Sequence, residues 1–195
     1  MYRIDASSAG YGRPGTWWRS SKEISGGMMY DWGAHYMDWT LNFMNKRVES
    51  VTGDFQKRRW HHVTNEDYTY ALVRFEDGTT ATLEQGTMAA VARQGWRILG
   101  TDGGMERDGN DVVLHRYDGQ RMNTGRLSID PGPGNNFYSN IGNHLMMGEE
   151  LIVKPQQARR AIGVIYLAEQ SAQKGGKPLP LPGEDQWTPD YAMPW

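Results

Sequence analysis

Residues 68–83 read YTYALVRFEDGTTATL, and this stretch decides the fold. A run rich in aromatic and β-branched side chains ends at Phe75. Asp77-Gly78 supplies the turn, and residues 79–83 return as a second such run. Two β-prone segments joined by an Asp-Gly turn form a hairpin, because that dipeptide tolerates the backbone angles of a tight connection. Outward from the hairpin, Val48, Val51 and Phe55 mark an earlier strand that ends in the basic cluster Lys57, Arg58 and Arg59. Residues 95–99 (GWRIL) and 111–117 (DVVLHRY) are later strands, punctuated by Gly103-Gly104 and Asp118-Gly119, and the loop PGPGNN closes the section.

Helices flank the strands. Met29, Trp32, Tyr36, Met37, Trp39 and Phe43 recur near the helical period and predict a helix over 28–44. A second helix is expected over 137–147. A third starts near Pro155, a residue favoured in a first helical turn, and stops at Gly175-Gly176. One helix, a run of hairpin-connected strands and two closing helices describe an α+β fold with a mainly antiparallel sheet. Residues 1–16, with Gly10, Gly12, Pro14 and Gly15, read as an extended arm, and residues 182–195 as an extended, proline-rich surface tail.

The 195 residues suffice for one domain, here 17–181. Eight Trp and ten Tyr suit a carbohydrate-facing pocket, and they suit a plain core as well. A formal net charge of −2 argues against a partner gripped through its phosphate backbone, so no nucleic acid is expected. With no Cys, disulfides, thiolate nucleophiles and Cys-based zinc sites are all excluded. No apolar run approaches membrane-spanning length and the first residues lack a signal peptide's apolar core, so no membrane partner and a cytoplasmic location are expected. A dinucleotide fold needs a strand, a G-x-G-x-x-G turn and a helix. The nearest fragment is Gly10-Tyr11-Gly12, with no strand read before it.

Residues 25–42, SGGMMYDWGAHYMDWTLN, hold the densest chemistry. On a helix Asp31 and His35 are neighbours, four positions apart, and Asp38 follows on the same stripe. A histidine between carboxylates is held in one tautomer and made more basic, as proton transfer requires. The same spacing also describes a plain surface pair. Gly33 leaves room for a ligand or another backbone beside the helix. In Trp17-Trp18-Arg19, an indole can stack on a sugar face and a guanidinium can grip hydroxyls or a carboxylate; packing against the sheet or another domain is the other reading. His61-His62 point apart on a strand and make a poor chelate, so with Lys57, Arg58 and Arg59 they read as a solvated strand end. His144 lies on the second helix as a surface or packing residue, or as part of a pocket lining.

The ordered motifs resemble the C-terminal domain of Gfo/Idh/MocA-family oxidoreductases. Trp18-Arg19, Ser25-Gly26-Gly27, Asp31, Gly33, His35 and Asp38 follow that family's opening pattern, with Met28 where a third glycine is common. Glu66-Asp67 with the hairpin, ILGTDGGM at 98–105, and the run from Phe137 to the end of PLPL continue the likeness over residues 17–181. The resemblance implies an open-faced sheet with helices on one face, like the C-terminal domain of dihydrodipicolinate reductase. It implies a substrate-binding and oligomerisation domain of a sugar or polyol oxidoreductase that exchanges a hydride with NAD(P). His35 would be the acid/base and Asp31 its support, with Trp18, Arg19 and His144 as substrate-binding residues. No cofactor-binding or metal residue falls in this chain, the Rossmann domain being missing from it. Independent activity is therefore not expected, while self-association through the sheet face is. Two alternatives stay open: a non-enzymatic sugar-binding or scaffold module that keeps the fold, and a metal-dependent enzyme built on His35, Asp31 and His144.

Overall fold

The first strand of the computed structural model, β1 (Arg3–Ala9), runs through the supposed arm. The structure describes residues 1–93, 95–130 and 136–186. Far from leading in from outside, β1 lies inside the sheet, hydrogen-bonded in parallel to one strand and antiparallel to another. Its residues RIDASSA give little hydrophobic alternation, but Ile4 and Ala6 are fully buried on one face. On the other, Asp5 is 2% exposed and is satisfied by Arg3, Arg97 and the Thr82 hydroxyl. A strand that places a carboxylate in the interior needs those cations, one from its own Arg3 and one from Arg97, distant in sequence.

The hairpin forms as the sequence requires: β2 (Val48–Gln56), β3 (Tyr68–Phe75) and β4 (Thr80–Gly86) are successive antiparallel neighbours. Then follow β5 (Trp96–Gly100), β6 (Gly103–Asp108), β7 (Asp111–Tyr117) and β8 (Met122–Ser128). The eight-stranded sheet has the order β2-β3-β4-β1-β5-β6-β7-β8, antiparallel throughout except for β1 beside β4. β6 takes in Gly103 and Gly104, which the sequence marks as punctuation, and β8 was not foreseen.

The helices are α1 (Lys22–Ser25), α2 (Trp32–Met44), α3 (Phe137–Met147) and α4 (Pro155–Gln173). α2 packs on β1 and β4 and α4 on β2 and β3, closing a core of Ile4, Val51, Val73, Phe75, Leu83, Met37, Val164 and Ile165. The other half of the sheet carries exposed Leu114, Tyr117, Met122 and Leu127. One close approach sets the spacing of α4: the amide of Gly53 donates to the Ser171 hydroxyl, and a Cβ on Gly53 would stand 1.9 Å from the Ala168 carbonyl oxygen.

The chain after α4 is not a loose tail over its described part. Leu179 bridges to Val51, and Glu184, 8% exposed, forms a buried ion pair with Arg160 at 2.8 Å while accepting the Val48 amide at 2.6 Å. A buried guanidinium needs a counter-charge, and Glu184 is held down to supply it. Residues 187–195 of the tail and 131–135 of the PGPGNN loop lie outside the described residues.

Candidate functional site

The helix expected over 28–44 divides in two. Met28–Tyr30 form a 3-10 turn, and α2 begins only at Trp32. Asp31 therefore sits ahead of the first helical turn, with φ −80° and ψ −99°, and its side chain caps nothing. Its carboxylate accepts two hydrogen bonds from Nη1 of Arg19, at 2.8 and 2.9 Å. No hydrogen bond joins it to His35. The helical juxtaposition that the spacing suggests is lost because one partner is not on the helix. His35 is exposed and lies between the rings of Trp32 and Trp39, 5.5 and 6.1 Å away. The carboxylate electrically coupled to it is Asp38, whose pKa burial pushes up while the imidazole pulls it the other way.

Arg19 and Asp31 open onto a cleft of ≈ 310 Å³ whose walls include Trp17, Trp32, Asn65, Glu66, Gln85 and Thr87. Among the described residues three buried side-chain atoms lack any hydrogen-bond partner: Nε of Arg19, Oε2 of Glu66 and Oε1 of Gln85. All three belong to residues lining this cleft. Each unpaired group costs about 1–3 kcal/mol, so their gathering in residues around one concavity makes it the candidate site. The hollow between α4 and residues 181–186 (≈ 400 Å³) and the one on β5–β7 (≈ 480 Å³) gather none of them, and one beside Lys22 and Glu169 (≈ 300 Å³) shares Glu66 alone.

The sequence around the cleft explains its shape. Gly27 holds φ +110°, and a Cβ there would come 2.8 Å from Oε2 of Glu66, so a bare backbone leaves room for that carboxylate. The room beside Gly33 is filled by the protein itself: a Cβ there would lie 2.8 Å from Sδ of Met29 and 3.1 Å from Oε1 of Gln85. Behind the cleft, Lys22 joins Glu66 to Glu169, and the Tyr30 hydroxyl donates to Glu169. Burial alone would lower the Lys22 pKa; its two carboxylate partners override this and raise it. Burial, then the charge of Glu169, pushes the Tyr30 phenol up.

Of the residues the sequence singled out, the cleft collects Arg19 and Asp31. Trp18 does not line it; the wall uses Trp17, while Trp18 stacks under the Arg19 guanidinium at 5.0 Å. His144 stands exposed on α3, with Nδ1 2.6 Å from the Glu149 carbonyl oxygen, and is not part of the cleft. Sequence reading missed Glu66 and Gln85 as site residues. Gln85 carried one signal: it continues the buried face of β4 after Ala81 and Leu83, where a polar side chain needs a reason.

A strand does precede Gly10-Tyr11-Gly12, contrary to expectation, yet the segment does not fit a dinucleotide. The amides of Gly10 and Gly12 donate to the carbonyls of Gly86 and Thr87, and Tyr11 bridges to Met88. The N–H groups that would cradle a pyrophosphate are thus occupied, and no helix follows directly. Among the described residues no three His, Asp or Glu stand together as metal ligands would, and no helix is long and apolar enough to cross a membrane.

Comparison with known proteins agrees with this architecture. A NAD-binding protein from Listeria innocua superposes with a TM-score of 0.77 at 25% identity, over 94% of this chain and 56% of that one. YvaA of Bacillus subtilis, described as an oxidoreductase, gives 0.78 at 19% identity, over 92% of this chain and 58% of its own. A Desulfitobacterium hafniense protein described as an NADPH-dependent oxidoreductase gives 0.71 at 18%, over 92% and 56%. The chain thus spans little more than half the length of these solved structures. No curated protein matches it. The sequence pattern of the GFO/IDH/MocA C-terminal domain matches residues 1–106, more than half of the 195. The chain belongs to the Gfo/Idh/MocA family, as a C-terminal domain of that oxidoreductase type.

Proposed function

We propose that this domain holds the substrate of a sugar or polyol oxidoreductase that works with NAD(P), the dinucleotide being carried by a Rossmann domain that closes over the cleft. The observation behind this reading is that all three residues with an unpartnered buried polar atom line one small concavity. Glu66 and Gln85 offer acceptors and Arg19 a donor, while Trp17 and Trp32 offer ring faces. A polyhydroxylated ligand answers all of these, since each hydroxyl both donates and accepts and its C–H face stacks on indole. His35 is not in the cleft wall but lies 5.5 Å from the ring of Trp32, which is, and would take the proton of the substrate hydroxyl. Asp38 follows it on the same helix, and Asp31 acts by fixing the Arg19 guanidinium. The half of the sheet bearing Leu114, Tyr117, Met122 and Leu127 is the surface through which copies associate. A cytoplasmic location belongs to the same reading.

Calorimetric titration of the purified chain with a panel of sugars and polyols tests the cleft. At least one should bind, and Glu66→Gln should weaken it by about tenfold, the cost of one charge-assisted hydrogen bond. NADH fluorescence should stay unchanged at micromolar protein. A saturating NADH signal would overturn the division of labour, and heat-free titrations across the whole panel would overturn the cleft.

A further inference from the structure

Beside the cleft wall at Pro14 and Thr87 two segments far apart in sequence meet. Nε2 of His62 lies 3.0 Å from the carbonyl oxygen of Pro14, and the Trp60 indole donates to the carbonyl of Thr87 at 3.3 Å; Pro14 and Thr87 both line the cleft. The Arg59 guanidinium sits 4.8 Å over the Trp60 ring and 5.7 Å from that of Tyr11, and Arg13 reaches within 3.5 Å of His62. Arg13 and Arg59 are exposed, and among the described residues neither pairs with a carboxylate. The nearby Asp67 is buried and already takes the amides of Arg58, Arg59 and Trp60 together with the Lys57 ammonium. Elsewhere in this chain of net charge −2, arginines such as Arg3, Arg97, Arg126 and Arg160 have acidic partners. The rim therefore keeps two stacked or poised cations without a carboxylate partner among the described residues, Arg59 on a loop that Asp67 holds in place and Arg13 on the segment that meets it.

Inside the cleft the balance is opposite. An anionic group bound there would confront Glu66 and Asp31, whose charges are only shared with Lys22 and Arg19. We propose that the ligand of the cleft is an anionic polyol, a sugar acid or a sugar phosphate. Its hydroxylated body fills the cleft and its anionic group lies against Arg13 and Arg59 beside the cleft wall. This rests on the polyol reading of the cleft. Guanidinium groups present planar donor forks that suit carboxylate and phosphate alike, so the shared chemistry is an oxyanion.

The test is titration of the chain with glucose, glucuronate, glucose 6-phosphate and inorganic phosphate, at low and raised salt. An anionic sugar should bind about tenfold more tightly than glucose, the worth of one charge-assisted contact. Raised salt should shrink that ratio, and Arg59→Ala and Arg13→Ala should bring it towards one. Both residues are exposed, so unchanged circular dichroism and melting temperature will show that the variants fold. Preference for glucuronate or for glucose 6-phosphate tells carboxylate from phosphate, and either supports the proposal. Equal affinity for glucose and both anions, or a preference that survives both substitutions, overturns it while leaving the polyol cleft standing. Inorganic phosphate binding as tightly as glucose 6-phosphate, with no effect of Glu66→Gln, also overturns it, since the rim would then be separate from the cleft. If no sugar of either kind binds, the cleft reading fails and this inference fails with it.

Discussion

Asp67 shows how much one buried carboxylate can organise. It is fully buried, accepts the amides of Arg58, Arg59 and Trp60 at 2.7, 2.6 and 3.2 Å, and pairs with Lys57 at 3.0 Å. Burial alone would raise its pKa; the amides and the ammonium override that and hold it down to about 2. In the unfolded chain the value is about 3.9, so its stabilisation is full above about pH 4 and is lost as pH falls through about 2. Asp67→Asn should cost about 2–3 kcal/mol near neutral pH by urea denaturation, with the gap to wild type closing as pH approaches 2. A gap that is constant with pH would mean that the loss comes from altered hydrogen-bond geometry and not from the charge. The residue scale is also where sequence reading fell short. Spacing pairs Asp31 with His35, but the 3-10 turn at Met28–Tyr30 delays the helix by one residue past Asp31 and turns its carboxylate to Arg19.

Among elements, the packing of α4 on β2 depends on an absent side chain. A Cβ on Gly53 would meet the Ala168 carbonyl at 1.9 Å, and backbone on both sides cannot yield as a side chain can. Gly53→Ala should destabilise by about 3 kcal/mol, at the upper end of overpacking, as α4 is forced away. Gly125→Ala on β8, with nothing within 4 Å of its Cβ position, should change stability by less than about 0.5 kcal/mol. Chemical denaturation of the two variants checks this, and equal effects would remove the close approach as the cause. Legibility follows the same physics. The hairpin of β3 and β4 declares itself because alternate side chains are buried and the turn has a sequence signature. β1 and β8 do not: RIDASSA buries polar residues against distant partners, and MNTGRLS is exposed along its whole length. Their strand character comes from the neighbours that pair with them.

For the whole molecule, β1 joins the helix-covered strands to the outer four, because it alone bonds both β4 and β5. Deleting residues 1–9 should abolish the cooperative thermal transition, since Ile4, Ala6 and the Asp5 ion pairs leave together. If those residues were an arm, the melt would survive the deletion. Periodicity, turn chemistry and the order of motifs were enough to determine the α+β class, the central hairpin, the closing helices and the family, because these depend on neighbours in sequence. The place of β1, the tying down of Glu184, the Arg19–Asp31 pairing and the gathering of Glu66 and Gln85 around one cleft were decided only by the tertiary structure. Each depends on a charge or a polar atom finding its partner across the fold, and distance along the chain does not encode such meetings.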